Sequence, residues 1–129
     1  FQTYRNTLYG WAMGNGNIAL AVRDGLFTQT YAIEIRSMAT AGLVASVSVP
    51  YAIGNGVASR LRGLVSDAAG NLYFYSGTKV YRMKADLSAI DWSWDAGANI
   101  TDIGVCANGD LLVSGKASTT WQNDGGTNL

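Results

Sequence analysis

Short runs of alternating apolar and polar residues, separated by glycine-bearing turns, fill most of the chain. Ser46-Val47-Ser48-Val49, Lys79-Val80-Tyr81-Arg82-Met83 and Ile90-Asp91-Trp92-Ser93-Trp94 alternate with period two, and Asn71-Leu72-Tyr73-Phe74-Tyr75 is rich in aromatic residues. A period of two puts successive side chains on opposite faces of a strand, and β-branched and aromatic residues suit a pleated surface. Helical periodicity is nearly absent, because 16 glycines cut the chain into short pieces. Residues 33–44 contain Ala and Met, but the alternation that follows reads as one strand turning into another.

The turns recur regularly. Asn-Gly or Gly-Asn pairs stand at Asn15-Gly16-Asn17, Asn55-Gly56, Gly70-Asn71 and Asn108-Gly109-Asp110, and further hairpin signals stand at Arg23-Asp24-Gly25, Ser76-Gly77-Thr78 and Asn123-Asp124-Gly125-Gly126. Such pairs accept the positive φ that tight hairpins demand. Leu64-Val65-Ser66-Asp67-Ala68-Ala69-Gly70-Asn71-Leu72-Tyr73-Phe74 aligns with Ile103-Gly104-Val105-Cys106-Ala107-Asn108-Gly109-Asp110-Leu111-Leu112-Val113, with Gly70 and Gly109 about 39 residues apart. An earlier copy, Tyr9 to Leu20, precedes the second by about 54 residues; the extra length falls in its second hairpin and in residues 50–59. A repeat of about 40 residues is close to the blade length of a common propeller repeat.

Three units follow, each with strands in succession: Thr7–Met13, Asn17–Val22, Leu26–Ile35 and Leu43–Val49; then Arg60–Ser66, Leu72–Ser76, Lys79–Lys84 and Ile90–Trp94; then Ile100–Ala107, Leu111–Ser114 and Ser118–Gln122. Four antiparallel strands make one propeller blade. The expected fold is therefore all-β, a partial β-propeller of about three four-stranded antiparallel blades at 7–49, 60–95 and 100–129, within one all-β domain or propeller fragment of residues 1–129. A β-sandwich or prism is the alternative.

The segment Trp121-Gln122-Asn123-Asp124-Gly125-Gly126-Thr127-Asn128-Leu129 resembles the Asp-box of the sialidase-like (BNR) propellers, whose pattern is Ser-x-Asp-x-Gly-x-Thr-Trp. Asp124 and Gly126 match, whereas Gln122 replaces the serine and Asn128-Leu129 the closing Thr-Trp. The corresponding turn of the second unit is Lys84-Ala85-Asp86-Leu87-Ser88, and that of the first is Arg36-Ser37-Met38-Ala39-Thr40, without an aspartate. The resemblance implies an architecture, since in that family the Asp-box holds a hairpin away from the catalytic centre. Sialidase activity would need an arginine cluster, a tyrosine nucleophile and an acid. None of Arg5, Arg23, Arg36, Arg60, Arg62 and Arg82 lies in a matching motif, so no catalytic residue is carried over.

Composition narrows the chemistry. Of the 129 residues 48% are hydrophobic and 14% charged, with nine basic and nine acidic side chains and hence zero formal charge. That argues against disorder and against a nucleic-acid partner, which a basic stripe would announce. No run of about 20 apolar residues offers a membrane span. Nor is a signal peptide expected in these residues, since no charged segment precedes an apolar core. Beginning at Phe1, the sequence is expected to be either processed or a piece of something longer.

Histidine is absent, which removes the commonest general base and transition-metal ligand. The single cysteine, Cys106, lies in an apolar run and is expected to be a buried, inert thiol. Asp91 and Asp95 share a strand face opposite Trp92 and Trp94, an arrangement expected on the charged outer side of an edge strand rather than in an acid pair. Asp102, Asp110, Asn123 and Asp124 lack calcium-loop spacing and read as solvated turns. The glycines around Gly14 and Gly16 precede no helix and form no phosphate loop. No catalytic residue, metal or cofactor is expected.

The aromatic residues remain. Trp92, Trp94, Trp121 and Tyr75 are candidate glycan or interface contacts, with packing between blades as the plainer role. The structural turn residues are Gly16, Gly70, Gly109, Asp124 and Gly126. Three blades do not close a propeller, which takes about four to eight. Either the chain belongs to a longer polypeptide, or copies complete a ring, with Phe1-Gln2-Thr3-Tyr4-Arg5 as a candidate fourth strand of the last blade. The expected function is a non-catalytic structural or adhesive module of a larger extracellular or virion assembly, such as a phage tail or surface fibre. Its partners are then other copies or other subunits, and possible ligands are glycans. The alternatives are a carbohydrate-binding propeller lectin and a fragment of a sialidase-like glycoside hydrolase.

Overall fold

The computed structural model describes residues 5–25, 30–54, 63–115 and 121–122. Every regular element among them is a strand. β1 (Arg5–Ala12), β2 (Asn17–Asp24), β3 (Thr30–Ser37) and β4 (Leu43–Val49) form a first antiparallel sheet in chain order. β5 (Leu64–Ser66), β6 (Leu72–Ser76), β7 (Lys79–Met83) and β8 (Ile90–Asp95) form the second in the same way. β9 (Ile100–Val105), β10 (Leu111–Gly115) and β11 (Trp121–Gln122) form the third. Among the described residues none of the three sheets closes into a barrel.

Each sheet opens with the same turn. The backbone N–H of Met13 donates to Asn17 O, that of Asp67 to Asn71 O and that of Cys106 to Asp110 O, at 3.0, 3.0 and 2.7 Å. The fourth residue of each turn is Gly16, Gly70 or Gly109, with φ of 88°, 89° and 91°. A Cβ is disfavoured at such φ values, so the backbone selects glycine there. At the same end of the sheets lie the loops after β3 and β7, closed by Ser37 N to Gly42 O and Lys84 N to Ala89 O, both 2.9 Å. Each loop leans on its neighbouring turn, through Met38 N to Gly16 O in one sheet and Ala85 N to Asn71 Oδ1 in the other.

The sheets stack face to face, and two apolar cores lie between them. One joins Ala19, Ala21, Ile33 and Ile35 of the first sheet to Leu64, Leu72, Phe74, Tyr81 and Met83 of the second. The other joins Val65, Tyr73, Tyr75 and Val80 to Ile100, Ile103, Leu111 and Val113 of the third. Strand β6 is therefore covered on both sides, Leu72 and Phe74 facing one way and Tyr73 and Tyr75 the other. This explains four consecutive buried residues in one strand. Burial of each such side chain stabilises by about 1.5–3 kcal/mol. The first strands adjoin as well, β1 against β5 and β5 against β9.

Several boundaries differ from the sequence expectation. The residues 33–44 do turn from strand to strand, with β3 ending at Ser37 and β4 starting at Leu43. The expected strand Arg60–Ser66 is present as Leu64–Ser66, its residues 60–62 lying outside the described ones. The remaining lane beside β6 is taken by Gly54, which bridges Ser76 in parallel and donates its N–H to Tyr75 O at 2.6 Å. Arg5, offered as part of a fourth strand for the last unit, instead begins β1 and pairs with Asp24; residues 1–4 lie outside the described ones.

Candidate functional site

The face of the second sheet that meets the third carries most of the aromatic residues singled out by sequence. Across β7 and β8 the register sets Val80 opposite Trp94 and Arg82 opposite Trp92. Trp92 and Trp94 are half-buried against the second core, while Asp91, Ser93 and Asp95 on the other side of the strand are exposed. The alternation thus sorts the residues as their spacing requires. Trp92 meets Tyr73 edge to face, with ring centroids 6.2 Å apart and planes at 74°. The Arg82 guanidinium lies 5.9 Å over the Trp92 ring and its Nε donates to Asp91 Oδ1 at 2.9 Å. One face of Trp92 is consequently occupied by a cation.

The carboxylates nearby are held ionised. Its hydrogen bond from Arg82 keeps Asp91 below the usual carboxylate range, and the bond from the Gly97 N–H does the same for Asp95. The hydrogen bond to Asp91 in turn raises the Arg82 guanidinium above its ordinary value. A general acid needs a carboxyl whose pKa is raised toward neutrality. These two are shifted the other way, each by a separate partner.

Tyr75 takes a packing role. By sequence it is a candidate glycan or interface contact with packing between units as the plainer role; it is 2% exposed, which fits the packing role, and its hydroxyl donates to the carbonyl of Thr101 in β9 at 3.2 Å. Because its strand is covered on both faces, the ring has no route to a surface ligand. Burial, and then the neighbouring Tyr9, pushes its hydroxyl above the usual tyrosine range. Cys106 corrects the sequence reading. It is half-buried rather than buried, because it is the first residue of the β9–β10 turn rather than a core position. Trp121 stands opposite Ser114 in the third sheet. Asp124 and Gly126, with the rest of the Asp-box segment, lie outside the described residues.

Two aromatic residues organise the approach of the first two sheets: Trp11, one of the aromatic residues for which the sequence suggests packing between units, and Tyr9, which it does not single out. Trp11 Nε1 donates to Ser66 Oγ at 2.8 Å, linking β1 to β5. The Tyr9 ring is wedged against Gly54 and Gly63, so closely that a Cβ on Gly63 would come within 2.5 Å of it. No local periodicity signals such a contact, since its partners lie far apart in the chain.

Two grooves open at the margins. One, of about 360 Å³, runs between the first turns of the second and third sheets, from Ser66–Ala68 to Val105–Gly109, and includes Asp67 and Cys106. Asp67 is committed to its own turn, accepting from Ala69 N, Asn71 N and Asn71 Nδ2 at 3.0, 2.9 and 3.1 Å. The other, of about 430 Å³, lies beside Tyr31, Pro50 and Tyr51. Tyr51 stacks on Tyr81 there, with centroids 4.5 Å apart. Among the described residues no three His, Cys, Asp or Glu side chains gather to hold a metal ion, and no helix is long and apolar enough to cross a membrane.

No protein-family model matches the chain, and no curated protein matches its sequence. Among solved structures it is similar to a protein of unknown function from Bacteroides caccae, with a TM-score of 0.66 and 13% identity. The match covers 97% of this chain and 45% of that one, so the chain spans less than half the length of the structure it resembles. At that identity the likeness speaks for the arrangement of the sheets alone.

Proposed function

We propose that the chain is a non-catalytic structural or adhesive module: a run of β-propeller blades, of the type whose Asp-box its last residues resemble, at work in a larger extracellular assembly. The observation that carries this reading is the repetition. Three sheets begin with the same glycine turn, stack in chain order through apolar faces, and bring β1, β5 and β9 side by side, as the inner strands of blades lie around an axis. The aromatic rings of the second sheet are engaged in that stacking, Asp91 in an ion pair with Arg82, and Asp67, Asp86 and Asp95 in hydrogen bonds from nearby backbone N–H groups, which supports a role in holding shape. A lectin is the weaker reading, because the ring of Trp92 already carries Arg82 on one face.

The test is the mass of the native protein in its source. A mass several-fold above the 13.7 kDa of the chain is expected. A native particle of 13.7 kDa would remove the assembly on which the reading depends.

A further inference from the structure

We infer that Asn15 is a site of spontaneous modification, losing its side-chain amide to the backbone nitrogen of Gly16 and ending as aspartate or isoaspartate. The chemistry needs only the Asn-Gly pair and water. The Gly16 nitrogen gives up its proton to water and attacks Cγ of Asn15. The bond from Cγ to Nδ2 then breaks, and Nδ2 leaves with a proton as ammonia. Water opens the resulting cyclic imide at one or the other of its two carbonyls. In sum, an amide and water become a carboxylate and ammonium. Glycine suits the attack because no side chain shields its nitrogen.

Asn-Gly pairs stand at Asn15-Gly16, Asn55-Gly56 and Asn108-Gly109, of which Asn55 lies outside the described residues. The other two hold the same place in the first turns of the first and third sheets, where the second sheet has Ala69-Gly70. Asn15 and Asn108 are both exposed. In each, the side-chain oxygen accepts from the backbone N–H two residues on: Asn17 donates to Asn15 Oδ1 and Asp110 to Asn108 Oδ1, both at 3.1 Å. That bond closes a ring containing the glycine nitrogen. It also aims a donor at the oxygen on which negative charge gathers as Cγ becomes tetrahedral.

The two turns differ at the attacking atom. The Gly109 N–H donates to Cys106 O at 2.9 Å, and its counterpart Gly70 donates to Asp67 O at 3.1 Å. Among the described residues the Gly16 N–H makes no such bond. The first turn departs in shape as well. Gly14, with φ of 82°, stands where the other two turns have Ala68 and Ala107. The amide of Asn108 is also held, its Nδ2 donating to Asp110 Oδ2 at 3.1 Å, whereas the first turn has the neutral Asn17 in that place. Attack at Asn108 must first break the bond to Cys106, which slows it by about 2- to 10-fold. The turn of the third sheet therefore protects its asparagine, and that of the first leaves Asn15 open. The change would reach the neighbouring loop. Gly16 O accepts from Met38 N at 2.9 Å, and isoaspartate adds one carbon to the main chain just before Gly16.

Incubation of the folded chain in neutral buffer, followed by tryptic mapping with mass spectrometry, tests this. Asn15 and Asn108 fall in separate peptides, 6–23 and 85–116, and fragmentation locates the mass gained when an amide nitrogen is exchanged for oxygen. In the folded chain Asn15 is expected to convert at least about twofold faster than Asn108. In urea, where the turns are gone, the two rates should be nearly equal. Asn15→Gln keeps the amide but lengthens the ring to be closed, and should abolish the change in peptide 6–23. The Met38 amide should exchange with solvent faster in the modified fraction. Equal rates in the folded chain, the same ratio in urea, or a change that persists in Asn15→Gln would overturn the inference. An unaltered Met38 amide would refute the effect on the loop.

Discussion

The indole nitrogen of Trp11 and the hydroxyl of Ser66 lie 2.8 Å apart across the junction of the first two sheets, each on the opening strand of its own sheet. The bond crosses 55 positions of sequence and is partly shielded from water. Trp11→Phe keeps an aromatic ring in place and removes the donor, and Ser66→Ala removes the acceptor. Each is expected to cost about 0.5–1.5 kcal/mol. In a double-mutant cycle by urea denaturation, the second change should add little once the first is made. Strictly additive losses would show that the two groups do not act on each other.

The wedge of Tyr9 against Gly63 makes a sharper prediction. Gly63→Ala places a Cβ about 2.5 Å from the ring, far inside normal contact, so the backbone or the ring must move. Overpacking of this kind costs about 1–3 kcal/mol. Combined with Tyr9→Leu, which removes the atoms in the way, most of the added cost of Gly63→Ala should vanish. A penalty independent of the residue at position 9, measured by thermal unfolding, would refute the steric account.

Much of this architecture was legible before any coordinates, and the reasons differ from residue to residue. Gly16, Gly70 and Gly109 were found by spacing, because a positive φ restricts the residue type and leaves a mark in the sequence. Trp92 and Trp94 were placed on one face because a strand alternates strictly. The burial of Tyr75 is not decided by alternation, which says which residues share a face but not whether that face is covered. The signal was present in Leu72-Tyr73-Phe74-Tyr75, four apolar residues without a polar break, which point to a strand buried on both sides. Tyr9 leaves no signal, and Trp11 is marked by its residue type but not by its partner, since partners of this kind are set by how whole sheets meet.

The turns of the second and third sheets differ at one informative position. Asp67 accepts three hydrogen bonds inside its turn, and Cys106 occupies the same place in the next sheet. Cys106→Asp alone would set its carboxylate near Asp110, where the second sheet has the neutral Asn71. The single change should therefore gain little, whereas Cys106→Asp with Asp110→Asn recreates the arrangement of the second sheet and should stabilise by about 1 kcal/mol. Equal melting temperatures for the double variant and the wild type would show that the two turns are not interchangeable.

Alkaline pH should unfold the protein through Tyr75. Its hydroxyl is held above the usual tyrosine value of about 10 by burial and by Tyr9. A group with a raised folded pKa contributes its stability in full below the unfolded value. That contribution is lost as pH climbs above about 10 toward the folded pKa, because the unfolded chain releases the proton first. Tyr75→Phe should cost about 1 kcal/mol near neutrality, through the lost bond to Thr101, and flatten the alkaline decline. Tyr81 is shifted the same way and for the same first cause, so a residual slope should persist. Melting temperatures recorded from neutral to alkaline pH decide it; parallel curves for the two proteins would contradict the assignment.

A sheet pressed between two others has two neighbours to lose before it can open, and a sheet at the end of a stack has one. Opening in such a series is governed by nearest-neighbour contacts rather than by the molecule as a whole. The amide protons of β6 and β7 should accordingly be the last to exchange with solvent, and those of β4 among the first. The placement of Tyr73 and Phe74 on opposite faces of one strand is thus also a statement about time: the middle of the stack keeps its shape while the ends breathe.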